Sequence, residues 1–311
     1  MINFIQNNNY KNLNNFAFQV KKSEKIYFTG LKDSFSRGDD SLRTLFPKGV
    51  DKITFNQGKY PDCQFLVAIN VLSKNPDGVD LLRKIIEIKD GAYKITFQKY
   101  PDKPVFVTND EIASQLTKSS VTPERLYRSR VEGDLGMKIL EVAYAKLMKT
   151  AYPEKFQQIP DDEILTVFLD PNYHYTSEIA LEDITGWKVK TIIANGGNIP
   201  EESQSFLEES ESKPDLLDKI AQYLDFLAKE PDKFVVVACT KGNKHNADYL
   251  DSENKFFAWH DYSILKINQE KREIIVSNPH KKNHELTISY DDFFNYFNLI
   301  SVAEVEKSIT N

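Results

Sequence analysis

Cysteine is nearly absent from this chain: Cys63 and Cys239 are the only two in 311 residues. A pair that sparse does not build a disulfide framework, so a reducing compartment is the expectation. Long apolar runs are missing too. No stretch of eighteen apolar residues occurs, and no membrane span is expected. The N-terminus, MINFIQNNNYKNLNNF, lacks a charged segment followed by an apolar one, the pattern of a secretory signal peptide. The expected location is therefore cytoplasmic, or outside the cell by export without a cleaved signal peptide. Positive charge is in deficit, with 40 Lys and Arg against 46 Asp and Glu, a formal net charge of −6. Phosphates repel such a surface, so nucleic acid and anionic membrane are not expected partners. No internal repeat is present, and nothing in the composition speaks to oligomeric state.

What is present is apolar and aromatic. Hydrophobic residues make up 41% of the chain, with 20 Phe and 15 Tyr, enough for a substantial core. The first twenty residues hold seven Asn and read as a mobile or loosely docked arm, which we bound at 1–45. Turns and short strands, KSEKIYFTG among them, follow those first twenty residues. CQFLVAINVLSK has apolar residues at 65, 66, 69 and 72, a helical spacing that NPDG ends. VDLLRKIIEIKD reads as a helix, and GAYKITFQ and KPVFVTN as strands. DLGMKILEVAYAKLMKTAYP is a helix with Leu135, Ile139, Val142, Ala143 and Leu147 on one stripe, closed by Pro153. The acidic piece 196–215, GGNIPEESQSFLEESESKPD, reads as a boundary or surface insertion. Beyond it come a helix, DLLDKIAQYLDFLAK, then the strands FVVVACT, KFFAWHDYSILKI, REIIVSN and HELTIS, and a last helix, YDDFFNYFNLI. The organisation is a mostly helical segment, 46–188, followed by a β-rich one, 189–311.

Chemistry gathers at three places. Cys63 opens its helix, where unpaired N–H groups and the helix dipole favour a thiolate, and Asp62 is placed to cap that end. A small core cysteine fits the same position. Gln57 lies six residues upstream across a turn eased by Gly58, and its amide can pair with the Cys63 backbone N–H as an oxyanion hole. A cysteine nucleophile needs an imidazole, and the imidazole an orienting acceptor. Of five histidines, His174 and His245 read as loop residues, and His280 and His284 fall in a Lys/Asn-rich turn rather than on a metal-binding helix. His260 lies in a β-like segment. A hairpin centred on Gln269 sets it opposite Asn278, with Tyr262 and Ile264 beside one and Val276 and Ile274 beside the other.

These words, in this order, resemble the calpain-type cysteine proteases, a branch of the papain-like group. QGKYPDCQ is similar to Q-G-x-L-G-D-C-W at Gln57, Gly58, Asp62 and Cys63. HDYSI is similar to H-A-Y-S-V at His260, Tyr262 and Ser263, and NPH to N-P-W at Asn278 and Pro279. EVAYAKLMKTAYP, EDITGWK and DFLAKEPDKFVVVACT carry weaker echoes, so the likeness covers roughly residues 45 to 300. It implies an α+β, papain-like two-lobed fold with the active site in the cleft. It implies a thiol endopeptidase with Cys63 as nucleophile, His260 as base and acid, Asn278 as orienter and Gln57 as oxyanion donor. The substrate would be a protein or peptide lying against Gly186, Trp187 and Trp259. Cys239 falls at a structural strand cysteine. Gln64, Trp187, Trp259 and His280 depart from the family pattern, standing where it has Trp, Gly, Gly and Trp. No cofactor is implied. Calcium belongs to the protease core of animal calpains, but its acidic ligands are not identifiable in this sequence. Two other readings stay open: a Cys–His acyltransferase or deamidase acting on protein side chains, and a catalytically dead protease-like binding module.

Overall fold

In the computed structural model the described residues are 38–58, 60–117, 131–169, 176–193, 213–242, 250, 256–280 and 285–306. Residues 1–37 of the arm, KSEKIYFTG with them, most of the acidic piece, His174, His245 and His284 lie outside them; the end of the arm, 38–45, is a helix whose Leu45 is buried in the core rather than loosely docked. From the N-terminal side come α1 (Gly38–Leu45), β1 (Phe55–Asn56), α2 (Cys63–Leu72), α3 (Pro76–Ile85), β2 (Ile86–Lys89), β3 (Ala92–Ile95), β4 (Val105–Thr108), α4 (Asn109–Thr117), β5 (Glu132–Gly133), α5 (Leu135–Ala151), α6 (Pro153–Phe156) and α7 (Ser177–Thr185). Then follow β6 (Val189–Ile193), α8 (Lys213–Lys229), β7 (Phe234–Thr240), β8 (Asp261–Asn268), β9 (Glu273–Ser277), β10 (Glu285–Ser289), α9 (Tyr290–Tyr296) and β11 (Phe297–Glu304). The mixture of helix and strand is the α+β composition expected.

The six strands of the β-rich segment form one antiparallel sheet in the order β10-β9-β8-β7-β11-β6. Alternation along β7 and β11 divides their side chains between two hydrophobic clusters. Val235, Val237 and Ala303 join the helical cluster with α2, α5 and α7, whereas Val236, Ile300 and Val302 pack with α8 and α9. Helices thus cover both faces of the sheet.

Several boundaries differ from the sequence reading. Every residue of α2 is buried, so the helix has no polar face and the stripe at 65, 66, 69 and 72 is only part of what it packs. NPDG does end α2, yet it also begins α3. The Asn75 side chain accepts the Gly78 N–H at 3.0 Å and Pro76 takes the first helical position, an N-terminal signature rather than a bare turn. IEIK is a strand, β2, not the tail of that helix. Pro153 opens α6 after α5 has ended at Ala151. The last helix stops at Tyr296, and FNLISVAE forms β11 between β7 and β6, a strand the sequence reading did not anticipate.

α2 is held against the sheet by polar as well as apolar contacts. Asn70 Nδ2 donates to Ser263 Oγ at 2.9 Å, and Ser263 Oγ donates to the Val67 carbonyl at 3.2 Å. Phe65 stacks on Tyr144 of α5 at 4.5 Å, and the Tyr144 hydroxyl donates to Asp183 of α7 at 3.2 Å. These contacts put the N-terminus of α2, and Cys63 with it, beside the start of β8.

Candidate active site

Cys63 is the first residue of α2 and is 9% exposed. Among the described residues its sulfur has two hydrogen-bond partners, Asp261 Oδ2 at 3.5 Å and Gln64 Oε1 at 3.6 Å. The expected thiolate-favouring end is overridden. Burial pushes the Cys63 thiol well up, and the Asp261 and Asp62 charges add to the shift, against a backbone hydrogen bond from Asp261 that draws it back. Asp62 does occupy the N-cap position, but its side chain makes no cap bond. The carboxyl is fully buried instead, and burial, then the charge of Glu141 on α5, drive it well above the carboxylate range.

Gln57 is buried and doubly tethered. Its Nε2 donates to the Tyr60 carbonyl at 2.8 Å, and its backbone N–H donates to the Pro279 carbonyl at 2.7 Å. The second bond ties the loop before Cys63 directly to the Asn278-Pro279 segment. One hydrogen of the amide is thus spent inside the loop, and the Gln57 side chain also hydrogen-bonds the Asp62 carboxyl.

His260 is not in a strand: β8 begins at Asp261, and Trp259 before it has φ 52. The hairpin register also differs from the expected one. Ser263 pairs with Ser277 and Ile264 with Val276, so one step further sets Tyr262, not His260, across from Asn278. The turn is centred between Glu270 and Lys271 rather than on Gln269, since Asn268 pairs with Glu273, and an irregularity between Ile264 and Lys266 shifts the outer pairs by one residue. The predicted side-chain pair forms all the same, on the diagonal. His260 Nε2 and Asn278 Oδ1 are 3.0 Å apart, with both residues buried. Asn278 Nδ2 donates to the Tyr262 hydroxyl at 3.5 Å, and the His280 backbone N–H donates to Asn278 Oδ1 at 2.9 Å.

The His260 ring is walled by aromatics. His280 stacks on it at 4.9 Å with an interplanar angle of 14°, Tyr262 meets it edge-on at 5.2 Å, and Phe257 lies at 5.3 Å. Burial and then the His280 charge pull the imidazole down to about 3, against the bond to Asn278, so the ring is neutral at physiological pH. Thr240 fixes the backbone. Its hydroxyl donates to the Phe257 carbonyl at 2.7 Å and accepts the His260 N–H at 3.0 Å, while its own N–H donates to the His260 carbonyl at 2.9 Å.

The family model of the calpain family cysteine proteases matches residues 19–286. The chain belongs to the calpain family of cysteine proteases. No curated protein matches it.

The family's expected substrate positions are spread unevenly. Trp259 is 67% exposed, and its ring lies so close on Gly242 that a Cβ there would collide with it. Trp187 is buried in the helical cluster, its N–H bonded to Thr185 Oγ1 at 3.0 Å. Gly186 is the left-handed C-cap of α7 at φ 71 and packs on the Gln98 backbone, reasons of its own to be glycine. For Gly186 and Trp187 a role toward substrate rests on resemblance alone. Cys239 pairs across the sheet with Asp261 and donates to the Thr240 carbonyl at 3.5 Å. Sequence reasoning missed Thr240 and Asp261. Thr240 had no local signal. Asp261 had one, the unmatched second residue of HDYSI against H-A-Y-S-V. No group of three or more His, Cys, Asp or Glu able to hold a metal occurs among the described residues, so no residue set is assigned to calcium. No helix among them is long and apolar enough to cross a membrane.

Proposed function

We propose that the chain is a thiol endopeptidase that cuts peptide bonds through Cys63, His260 and Asn278, with Gln57 as oxyanion donor. The observation that carries this reading is the His260 Nε2–Asn278 Oδ1 bond of 3.0 Å, formed beside the helix start that bears Cys63. That bond fixes the tautomer and leaves Nδ1 to take the sulfur's proton. The helical segment, 46–188, and the β-rich one, 189–311, are the two lobes, and an extended peptide runs between them past Trp259.

Sulfur attacks the carbonyl, and Nδ1 of His260 accepts its proton. The developing oxyanion is met by the Gln57 side-chain amide and the Cys63 backbone N–H. The imidazolium then protonates the leaving amine, and water hydrolyses the thioester with His260 as base.

One observation favours a second reading, an inactive binding module: the sulfur's partners are the Asp261 carboxylate and the Gln64 amide oxygen, not the imidazole. Mass spectrometry of a peptide library incubated with the full chain, with and without calcium, separates the readings. New N-termini are expected with the wild type and none with Cys63→Ala, while Gln57→Ala slows cleavage on the order of 10²- to 10³-fold. Side-chain deamidation without cleavage would mark a deamidase, and an unchanged library a dead scaffold.

A further inference from the structure

A single exposed apolar side chain is ordinary on a protein surface. Trp259 departs from the ordinary in three ways. At 67% it is more exposed than Phe106 or Phe226, the other large apolar residues exposed among those described. Its backbone sits in the left-handed region at φ 52, where a bulky side chain is an outlier. Its ring lies over Gly242, at which the Cβ of any other residue would collide with the indole. Strain of this kind persists only where the surroundings enforce it, and it gathers at functional sites. Here the surroundings do enforce it. The Trp259 N–H donates to the Lys241 carbonyl at 3.4 Å, and Thr240 grips His260, the next residue, by hydroxyl and by main chain. The indole is thereby fixed one residue from the proposed base. The other rings against that imidazole, Phe257, Tyr262 and His280, are buried or half-buried. The indole faces solvent.

We infer that Trp259 is a specificity shelf: its ring receives a large apolar side chain, aromatic or aliphatic, from the substrate residue beside the bond that is cut. A peptide whose carbonyl is presented to His260 passes within a residue's reach of the indole. A glycine or a short polar side chain there leaves the ring wet. A large apolar one covers it and takes apolar area out of water on both partners, and an aromatic one adds ring stacking. The shelf contributes no group to the reaction, so no proton or electron pair moves through it. Its effect belongs to binding and should fall mainly on KM. Gly242 is the matching positioning residue, since its missing side chain is the space in which the ring sits. The inference rests on the protease reading and adds to it the class of side chain preferred.

Two readouts on the full chain test it, one that needs cleavage and one that does not. The first is the residue preference beside each cut in the peptide library. The wild type should favour Phe, Tyr, Leu or Met over Gly at a position next to the cut, and Trp259→Gly should lower that preference about tenfold or more. Trp259→Phe keeps a flat ring and should retain most of it, whereas Gly242→Ala unseats the ring and should lower it. The second readout is tryptophan fluorescence in Cys63→Ala. The chain has two tryptophans, and Trp187 is buried, so a change in emission reports Trp259. A short peptide of Ala and Ser with one central Phe should move the emission to shorter wavelength. The same peptide with a central Gly should not, and adding Trp259→Phe should abolish the response. No shift with the Phe peptide, a preference for Lys or Arg instead, or a preference that Trp259→Gly leaves in place overturns the shelf. If the chain still cuts, the protease reading survives that failure. A shift in a chain that cuts nothing sinks the protease reading and leaves Trp259 as a peptide-binding surface.

Discussion

His280 stands where the family carries a tryptophan, and it stacks flat over the imidazole at 4.9 Å. A tryptophan would shield the His260–Asn278 bond without charge. A second imidazole shields it too, but once protonated it opposes any positive charge on His260. Burial is the larger cause of the depressed His260 value and His280 the next. Replacing His280 by Phe keeps the wall and removes the charge, so the His260 ring should then titrate at a higher pH than in the wild type. NMR titration of labelled histidine rings reads this, and an unmoved His260 resonance would contradict the coupling. Thr240 is the other single residue on which the histidine depends. Thr240→Val leaves the Phe257 carbonyl and the His260 N–H without their present partner, a loss of about 1–3 kcal/mol in urea unfolding.

Among elements, α2 and β8 carry the argument, because the sulfur rides on one and the imidazole immediately precedes the other. Their apolar contact is braced by the buried Asn70–Ser263 bond of 2.9 Å. Asn70→Ala should cost about 1–3 kcal/mol of unfolding free energy, since it leaves a buried hydroxyl short of a partner. No loss in denaturant titration would mean that packing alone seats the helix. How much of this was legible in the sequence varied with the range of the interaction. α2, α5, α8 and the hairpin strands followed from periodicity and turn residues. The contact of His260 with Asn278 was found for a partly mistaken reason. The real register sets Tyr262 opposite Asn278, and the reach of two side chains across the diagonal restored the pair. β11 was hidden because FNLI continues the apolar run of α9 and no glycine or proline marks the change. Its strand character comes from pairing with β7 and β6, which are distant in sequence. Asp261 carried a local mark, the mismatch in HDYSI, but its contact with the sulfur arises only from the packing of α2 against the sheet.

At the scale of the whole molecule, buried acids set how stability responds to pH. Burial and Glu141 raise Asp62 well above its unfolded value of 3.8. The folded chain therefore holds a proton that the unfolded chain releases above that value, and stability declines as pH rises from there toward the folded value. His260 works the other way: lowered from 6.5 to about 3, it adds stability as pH rises across that window. Asp62→Asn should thus raise the unfolding temperature more at pH 8 than at pH 5, and an equal shift at both would contradict a protonated Asp62. The central claim concerns the sulfur and the imidazole acting as one unit. It is tested most directly by labelling the full chain with an epoxysuccinyl peptide, a mechanism-based thiol reagent, and mapping the adduct. The account predicts one label, on Cys63, that is lost in His260→Ala and strongly slowed in Asn278→Ala. Label on Cys239, or on Cys63 at the same rate without His260, would contradict it.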